Sequence, residues 1–238
     1  MAAGSGGRHY ERLLATTINF FAFRNSLDIN CKPPAGSDKF AKDIQVTGSK
    51  PLSIEVKNAI GERSELGQFQ LRWSRRGWFL KSGKNTKLAK QIFTACKPKL
   101  PKAFGFKKLT YNVVNELRHR WTGEYFQEGK YGGFDVFFID AESVGLNSAE
   151  LIKEYYKGND GIQVDGYGLY GFTDKIVANI SDYNPVVKVK FRVKYHGGWK
   201  NGDPKYSFTM VPVLYNVQKS SMDLEDDNTL RSLLMEEN

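Results

Sequence analysis

The sequence predicts a mixed α/β (α+β) fold, and three observations predict it. Apolar residues recur at helical spacing near the N-terminus, alternate with a period of two in short runs before residue 60, and alternate again through much of the last third. At 238 residues, with 40% hydrophobic and 26% charged side chains, the chain can bury a sizeable core and is not a disordered polyelectrolyte.

In chain order, Arg8 to Phe23 reads as a helix with Leu13, Leu14, Thr17, Ile18 and Phe21 along one face. Asp43–Val46 and Leu52–Lys57 read as short strands, because Thr47-Gly48-Ser49-Lys50-Pro51 between them has turn composition. Glu65–Leu80 is expected to begin as a helix. Ser82–Phe93 is expected to be a basic helix whose apolar side is Leu88, Ile92 and Phe93. An apolar strand over Phe134–Ile139, a helix over Ser148–Tyr156, and strands over Val186–Tyr195 and Tyr206–Tyr215 complete the reading. Pro98 and Pro101 mark Lys97–Lys108 as a linker. The expected organisation is a flexible arm over residues 1–7, a core over 8–108, a β-rich extension over 109–221 and an acidic tail over 222–238.

Charge is unevenly distributed. The net charge of +9 points to a polyanionic partner. From Leu66 to Asn115 there is no acid, against nine lysines and Arg72, Arg75 and Arg76, a local net charge of +12. Met222–Asn238 carries six acids against Arg231, a net charge of −5, and reads as a solvated terminus. Lys81, Lys84, Lys87 and Lys90 recur every three residues and form a drifting stripe on a helix, suited to sequence-independent phosphate contacts. Trp73, Trp78 and Phe79 interleave with the arginines; such rings either fill the core, the favoured reading, or stack on unpaired bases. Lys188, Lys190, Arg192 and Lys194 alternate with apolar residues, as in a second DNA-contacting strand or an ordinary amphipathic edge strand.

Other classes recede. No window approaches the run of about 18 apolar residues that a membrane span needs, so no membrane partner is expected. Cys31 and Cys96 lie far apart with no histidine at metal-ligand spacing, which implies buried free thiols in an intracellular protein, cytoplasmic or nuclear, and argues against zinc. Asp165-Gly-Tyr-Gly-Leu-Tyr-Gly lacks the lysine and hydroxyl of a phosphate-binding loop and reads as aromatic strand with glycine bends.

The chemistry concentrates around the first pair of strands. If they fold back about Gly48 and Ser49, Asp43 lies opposite Ile54 or Glu55, and Glu55 and Lys57 project to one side. Two carboxylates and an ammonium on one patch suit phosphodiester hydrolysis. Carboxylates are hard oxygen ligands for Mg²⁺, the metal acidifies a bound water, and a lysine orients or deprotonates that water or stabilises the anionic transition state. The bland alternative is a surface hairpin with an ordinary Glu–Lys pair. Glu11, in the first turn of the first helix, has a plain role with the helix dipole.

The order Glu11, Gly36-Ser37, Asp43, then Ile54-Glu55-Val56-Lys57 resembles the PD-(D/E)xK nuclease superfamily, with its nearest likeness in archaeal-type Holliday-junction resolvases. The likeness covers about residues 6–80, with Gly6-Gly-Arg-His-Tyr-Glu11 resembling the family's N-terminal helix; Ala41-Lys42 stands where the family pattern has proline. The resemblance implies a restriction-endonuclease-like core, a mixed β-sheet flanked by helices, plus the β-rich C-terminal part. It implies Asp43 and Glu55 as metal ligands, Lys57 beside the nucleophilic water, Glu11 supporting the cluster, and Gln70 (or less readily Gln68) on the following helix. Arg8 and Ser37 would handle phosphate beside the basic residues of the window. The cofactor would be Mg²⁺, with Mn²⁺ substituting.

The implied function is metal-dependent DNA endonuclease. Either it cuts branched DNA as a symmetric homodimer, like the resolvases, or it is a restriction-type enzyme with residues 109–221 as recognition module. The alternative from another class is a non-catalytic DNA-binding protein retaining the nuclease fold.

Overall fold

A computed structural model describes residues 5–32, 43–61, 64–74, 76–81, 86–100, 116, 119, 132–200 and 203–235. The fold is mixed α+β, as the sequence predicts. It divides into two compact units, one made of residues 1–64, 152–186 and 214–238 and the other of 65–151 and 187–213. The division is therefore not sequential. Residues 152–186 and 214–221, expected in a C-terminal extension, share a unit with Asp43 and Glu55, while the expected boundary near 108 lies outside the described residues.

The first unit is built on a five-stranded mixed sheet of order β1-β2-β3-β7-β8: β1 (Ile29–Lys32), β2 (Ile44–Gly48), β3 (Leu52–Lys57), β7 (Gly161–Val164) and β8 (Gly168–Gly171). Every neighbouring pair is antiparallel except β3–β7. A parallel neighbour cannot be reached by a tight turn, and between Lys57 and Gly161 the chain passes through the whole first segment of the second unit.

One face of this sheet is covered by helix α1 (Ser5–Arg24). Tyr10, Leu14, Ala15, Ile18 and Phe21 form a core with Ile44, Val46, Leu52, Ile54 and Val56. The helical spacing was legible, but the buried stripe is rotated from the expected one: Leu13 is exposed, and Ala15 and Ala22 are buried in its stead. Asn19 ties the helix to the edge strand, its amide donating to the Cys31 carbonyl at 2.8 Å and accepting the Cys31 N–H at 2.7 Å. Edge strand β1 is thereby covered rather than left open for pairing at that point.

The acidic tail is not a solvated terminus. Its last helix, designated α4 (Asp227–Leu234), places Leu230 and Leu234 in the same core, and Asp226 caps it by accepting the Thr229 N–H at 2.8 Å. Gln163 of β7 is fully buried and donates to Tyr10 Oη at 3.0 Å and to Asp223 Oδ1 at 2.8 Å, while its carbonyl accepts the Leu224 N–H. Arg24 of α1 pairs with Asp227. The apolar residues between the tail's acids explain the correction: Leu224, Leu230 and Leu234 bury more than the charges can hold in solvent.

The second unit holds a five-stranded sheet of order β5-β4-β10-β9-β6. Its strands are β4 (Phe69–Ser74), β5 (Gly77–Leu80), β6 (Gly132–Asp140), β9 (Val186–Lys200) and β10 (Asp203–Asn216). Helix α2 (Thr86–Cys96) also belongs to it, with Leu88, Ala89, Ile92 and Phe93 buried. Helix α3 (Ser148–Tyr155) starts where Asn147 Oδ1 accepts the Glu150 N–H at 3.0 Å.

Three expectations fail here. Glu65–Leu80 does not begin as a helix: Phe69 and Leu71 are buried while Gln70 and Arg72 are exposed, a period of two, and Gly77 at φ +101° turns β4 into β5. The basic helix is present over Thr86–Cys96, but the lysine stripe does not lie on it as a whole. Lys81 extends the hairpin, its N–H bonded to the Gln70 carbonyl at 2.8 Å, so only Lys87 and Lys90 of the described stripe are helical. Nor is β9 an edge strand. It lies between β10 and β6, with Lys190 only 1% exposed. Lys190 Nζ meets Glu65 Oε1 at 2.9 Å and Asp135 Oδ2 at 3.2 Å, and Arg192 meets the same two carboxylates. These cations are neutralised within the unit, which removes the strongest part of a second DNA-contacting strand.

Candidate active site

The geometry of the candidate site begins with the β2–β3 hairpin. Its register is Ile44↔Ile54, Gln45↔Ser53 and Val46↔Leu52, so its continuation sets Asp43 opposite Glu55 without a bulge. The tight end of the hairpin needs Gly48, whose φ is +118° and where a Cβ would stand 2.1 Å from the Asp28 carbonyl oxygen. Alternation then sorts the side chains: Ile54 and Val56 enter the core under α1, and Glu55 and Lys57 face the other side, partly buried. On that side β7 supplies Ile162 beside Glu55 and Val164 beside Lys57, both fully buried.

Asp43 Oδ2 accepts the Val56 N–H at 3.0 Å, which fixes the carboxylate at the head of β2 and leaves its other oxygen for a further partner. Lys57 Nζ donates to Glu55 Oε1 at 2.7 Å, with side-chain exposures of 20% and 16%. The Lys57 ammonium also stands 5.2 Å from the centroid of the Tyr156 ring, at the end of α3. Tyr155 packs edge-on against Tyr156 with ring centroids 5.2 Å apart.

The electrostatics follow from crowding. Burial pushes the Glu55 carboxyl above its ordinary range; the Lys57 ammonium opposes this, and the neighbouring Asp43 and Glu11 carboxylates add to it. Burial disfavours the Lys57 ammonium, but Tyr156 and Glu55 outweigh burial and hold its pKa above the ordinary lysine value. Burial likewise raises Tyr156, against the pull of Lys57.

Of the residues singled out in the sequence, Asp43, Glu55 and Lys57 converge in the first unit, and Glu11 is close enough to act on Glu55 electrostatically. Glu11 lies in the second turn of α1, not the first, so the helix-dipole role loses its basis. Gln70 is not on a helix after Lys57; it is exposed on β4 of the second unit. Arg72, Arg76, Lys81, Lys87 and Lys90 are exposed in that second unit. Arg8 lies on α1, with its side chain outside the described residues, as are Ser37, Arg75 and Lys84 entirely. Tyr156 was missed by sequence reasoning. A tyrosine pair ending an amphipathic helix carries no local mark of its partner.

The donor set can be weighed against a hard divalent ion. Among the described residues no group of three or more His, Cys, Asp or Glu side chains is arranged to hold a metal. Two carboxylates nevertheless suffice for Mg²⁺, which keeps several waters and dehydrates reluctantly. The repulsion that the Asp43 and Glu11 carboxylates exert on Glu55 is the kind a cation relieves. The residues fit a two-carboxylate site and not a closed protein cage.

Among the described residues no helix is long and apolar enough to cross a membrane. Cys31 and Cys96 are free and buried, and burial pushes both thiols up to about 11. No protein-family model and no curated protein matches the sequence. A solved structure, HhaI endonuclease in complex with DNA, is similar over 92% of this chain and 96% of that chain, at 15% identity and a TM-score of 0.32. A superposition that loose equates no residue of this chain with one of that enzyme.

Proposed function

We propose that this chain is a metal-dependent nuclease hydrolysing phosphodiester bonds in DNA, with Asp43, Glu55 and Lys57 at its centre. The observation that carries the reading is the β2–β3 register, which sets Asp43 opposite Glu55 while Lys57 donates to Glu55 at 2.7 Å. A restriction-endonuclease-like core belongs to the same reading: Glu11 on the first helix, Asp43 heading a hairpin and Glu-Val-Lys on its second strand, within a helix-covered mixed sheet.

Asp43 and Glu55 would hold Mg²⁺, or Mn²⁺ in its place. Bound there, the ion would neutralise charge on phosphoryl oxygens and lower the pKa of a water. The chain's own residues do the remainder. Lys57, hydrogen-bonded to Glu55 and beside Tyr156, would be a hydrogen-bond donor and positive charge for an anionic transition state. Asp43 stays oriented by the Val56 N–H. The exposed cations of the second unit supply phosphate affinity.

A second reading has its own support. The exposed cations of the second unit would equally serve a DNA-binding protein that retains the fold without cutting.

Linear duplex, single-stranded and four-way-junction DNA incubated with Mg²⁺, Mn²⁺ or chelator, beside Glu55→Gln and Lys57→Ala, tests both. Metal-dependent cleavage lost in both variants is expected, and the preferred substrate separates a junction resolvase from a restriction-type enzyme. Salt-sensitive binding with no cleavage under either metal would transfer the case to the binding protein.

A further inference from the structure

We propose that the β4–β5 hairpin is a single-strand binding element in which Phe79 stacks on an unpaired base. The proposal deepens the nucleic-acid reading above and rests on it. It starts from the register. Trp73 pairs with Trp78, Arg72 with Phe79 and Leu71 with Leu80 across an antiparallel ladder. Trp78 is buried and makes edge-to-face contacts with Phe191 at 5.1 Å and Phe208 at 5.0 Å between ring centroids. Successive side chains of a strand point to opposite faces, so anchoring Trp78 turns Phe79 outward, where it is 42% exposed.

Its surroundings distinguish it from a stray surface apolar residue, which by itself would need no explanation. Arg72, exposed, stands directly across the ladder, at the separation where cross-strand side chains interact. Lys81 continues β5 opposite Gln70, two residues beyond Phe79 and on the same face, and is exposed. Arg76 is exposed at the turn. From Leu66 to Asn115 the sequence has no carboxylate, so the hairpin itself carries none. Among the described residues β5 is the edge of its sheet. An aromatic face set among cations accepts any base by stacking while the cations take the phosphates. A closed duplex keeps its bases stacked on one another and offers Phe79 nothing but backbone.

Binding would be read by fluorescence anisotropy in chelator, so that cleavage plays no part, on an oligothymidylate and on a duplex of equal length. Phe79→Ala is expected to weaken single-strand binding roughly tenfold, within the range for loss of one stacked base, and duplex binding less than twofold. Phe79→Trp is expected to retain single-strand affinity. An oligothymidylate with abasic positions should bind the native protein more weakly by a similar factor and leave Phe79→Ala unaffected. Near-ultraviolet circular dichroism of the Trp78 cluster reports whether each variant keeps the hairpin. Equal losses on both DNAs, or no loss on either, in a folded Phe79→Ala would overturn the proposal. Failure of the nuclease reading would show as absent cleavage and would leave these affinities unchanged.

Discussion

The Asp43 carboxylate accepts the backbone N–H of Val56 at 3.0 Å, reaching from the head of one strand to the far end of the next. A single bond thus links the two halves of the candidate site. Val56 lies between Glu55 and Lys57, so whatever holds Asp43 in place also holds the backbone from which those two side chains project. Position and charge at Asp43 can be separated by substitution. Asp43→Asn keeps an acceptor for Val56 and removes the charge; it is expected to melt near the native temperature and to lose metal-dependent cleavage. Asp43→Ala also removes the acceptor and should cost about 1–3 kcal/mol in urea unfolding. Matching stabilities for the two variants would show that the bond contributes nothing.

Tyr156→Phe keeps the ring beside the Lys57 ammonium and deletes the hydroxyl. Lys57 would stay folded in its place with one interaction fewer. The expected result is about a tenfold fall in kcat with KM little changed, while Lys57→Ala falls by about 10²–10³, the range for loss of one transition-state donor. A Tyr156→Phe protein with native kcat would remove Tyr156 from the site.

Gly48→Ala should damage the hairpin severely. Its φ of +118° is a conformation L-residues rarely adopt, and the added methyl would stand 2.1 Å from the Asp28 carbonyl oxygen. Backbone strain alone is worth about 1–3 kcal/mol, and the collision adds to it. Thermal melting measures the cost. A substitution tolerated with no fall in melting temperature would contradict this turn geometry.

In the second unit, burial works against the Asp135 carboxylate, yet Arg192 and Lys190 hold its pKa below the ordinary range. The sign follows from linkage. A depressed folded-state pKa contributes stability in full above the unfolded value of about 3.9, and that contribution is lost as pH falls through the folded value. Stability measured against pH should therefore drop below about pH 4, and Asp135→Asn should flatten that limb. At neutral pH the same variant takes the Asp135 carboxylate from Lys190 and Arg192, which keep Glu65, and is expected to cost roughly 3 kcal/mol, the lower end for breaking a buried ion pair. An unchanged acid limb in Asp135→Asn would exclude Asp135 as its source.

The sequence by itself determined what local periodicity can determine. Leu52–Lys57 is a strand with the bounds its alternation predicts, and the turn at Gly48 and Ser49 carries the chain back so that Asp43 falls opposite Glu55. These features depend on neighbours a few residues away, where side-chain direction follows directly from backbone type. Tertiary structure decided the rest. The resemblance implies a helix for Gln70, but Trp78 packing against Phe191 and Phe208 claims the segment for a sheet. Lys190 reads as a solvent-facing cation until Glu65 and Asp135 arrive from distant segments to bury it. The acidic tail reads as solvated until Gln163 donates to Asp223 and accepts the Leu224 N–H. Tyr156 acquires its place beside Lys57 only because β7 pairs parallel to β3, which brings the end of α3 back to the hairpin. A local pattern fixes which face of an element a side chain occupies; what waits on that face is set by long-range pairing, which leaves no periodic trace in the chain.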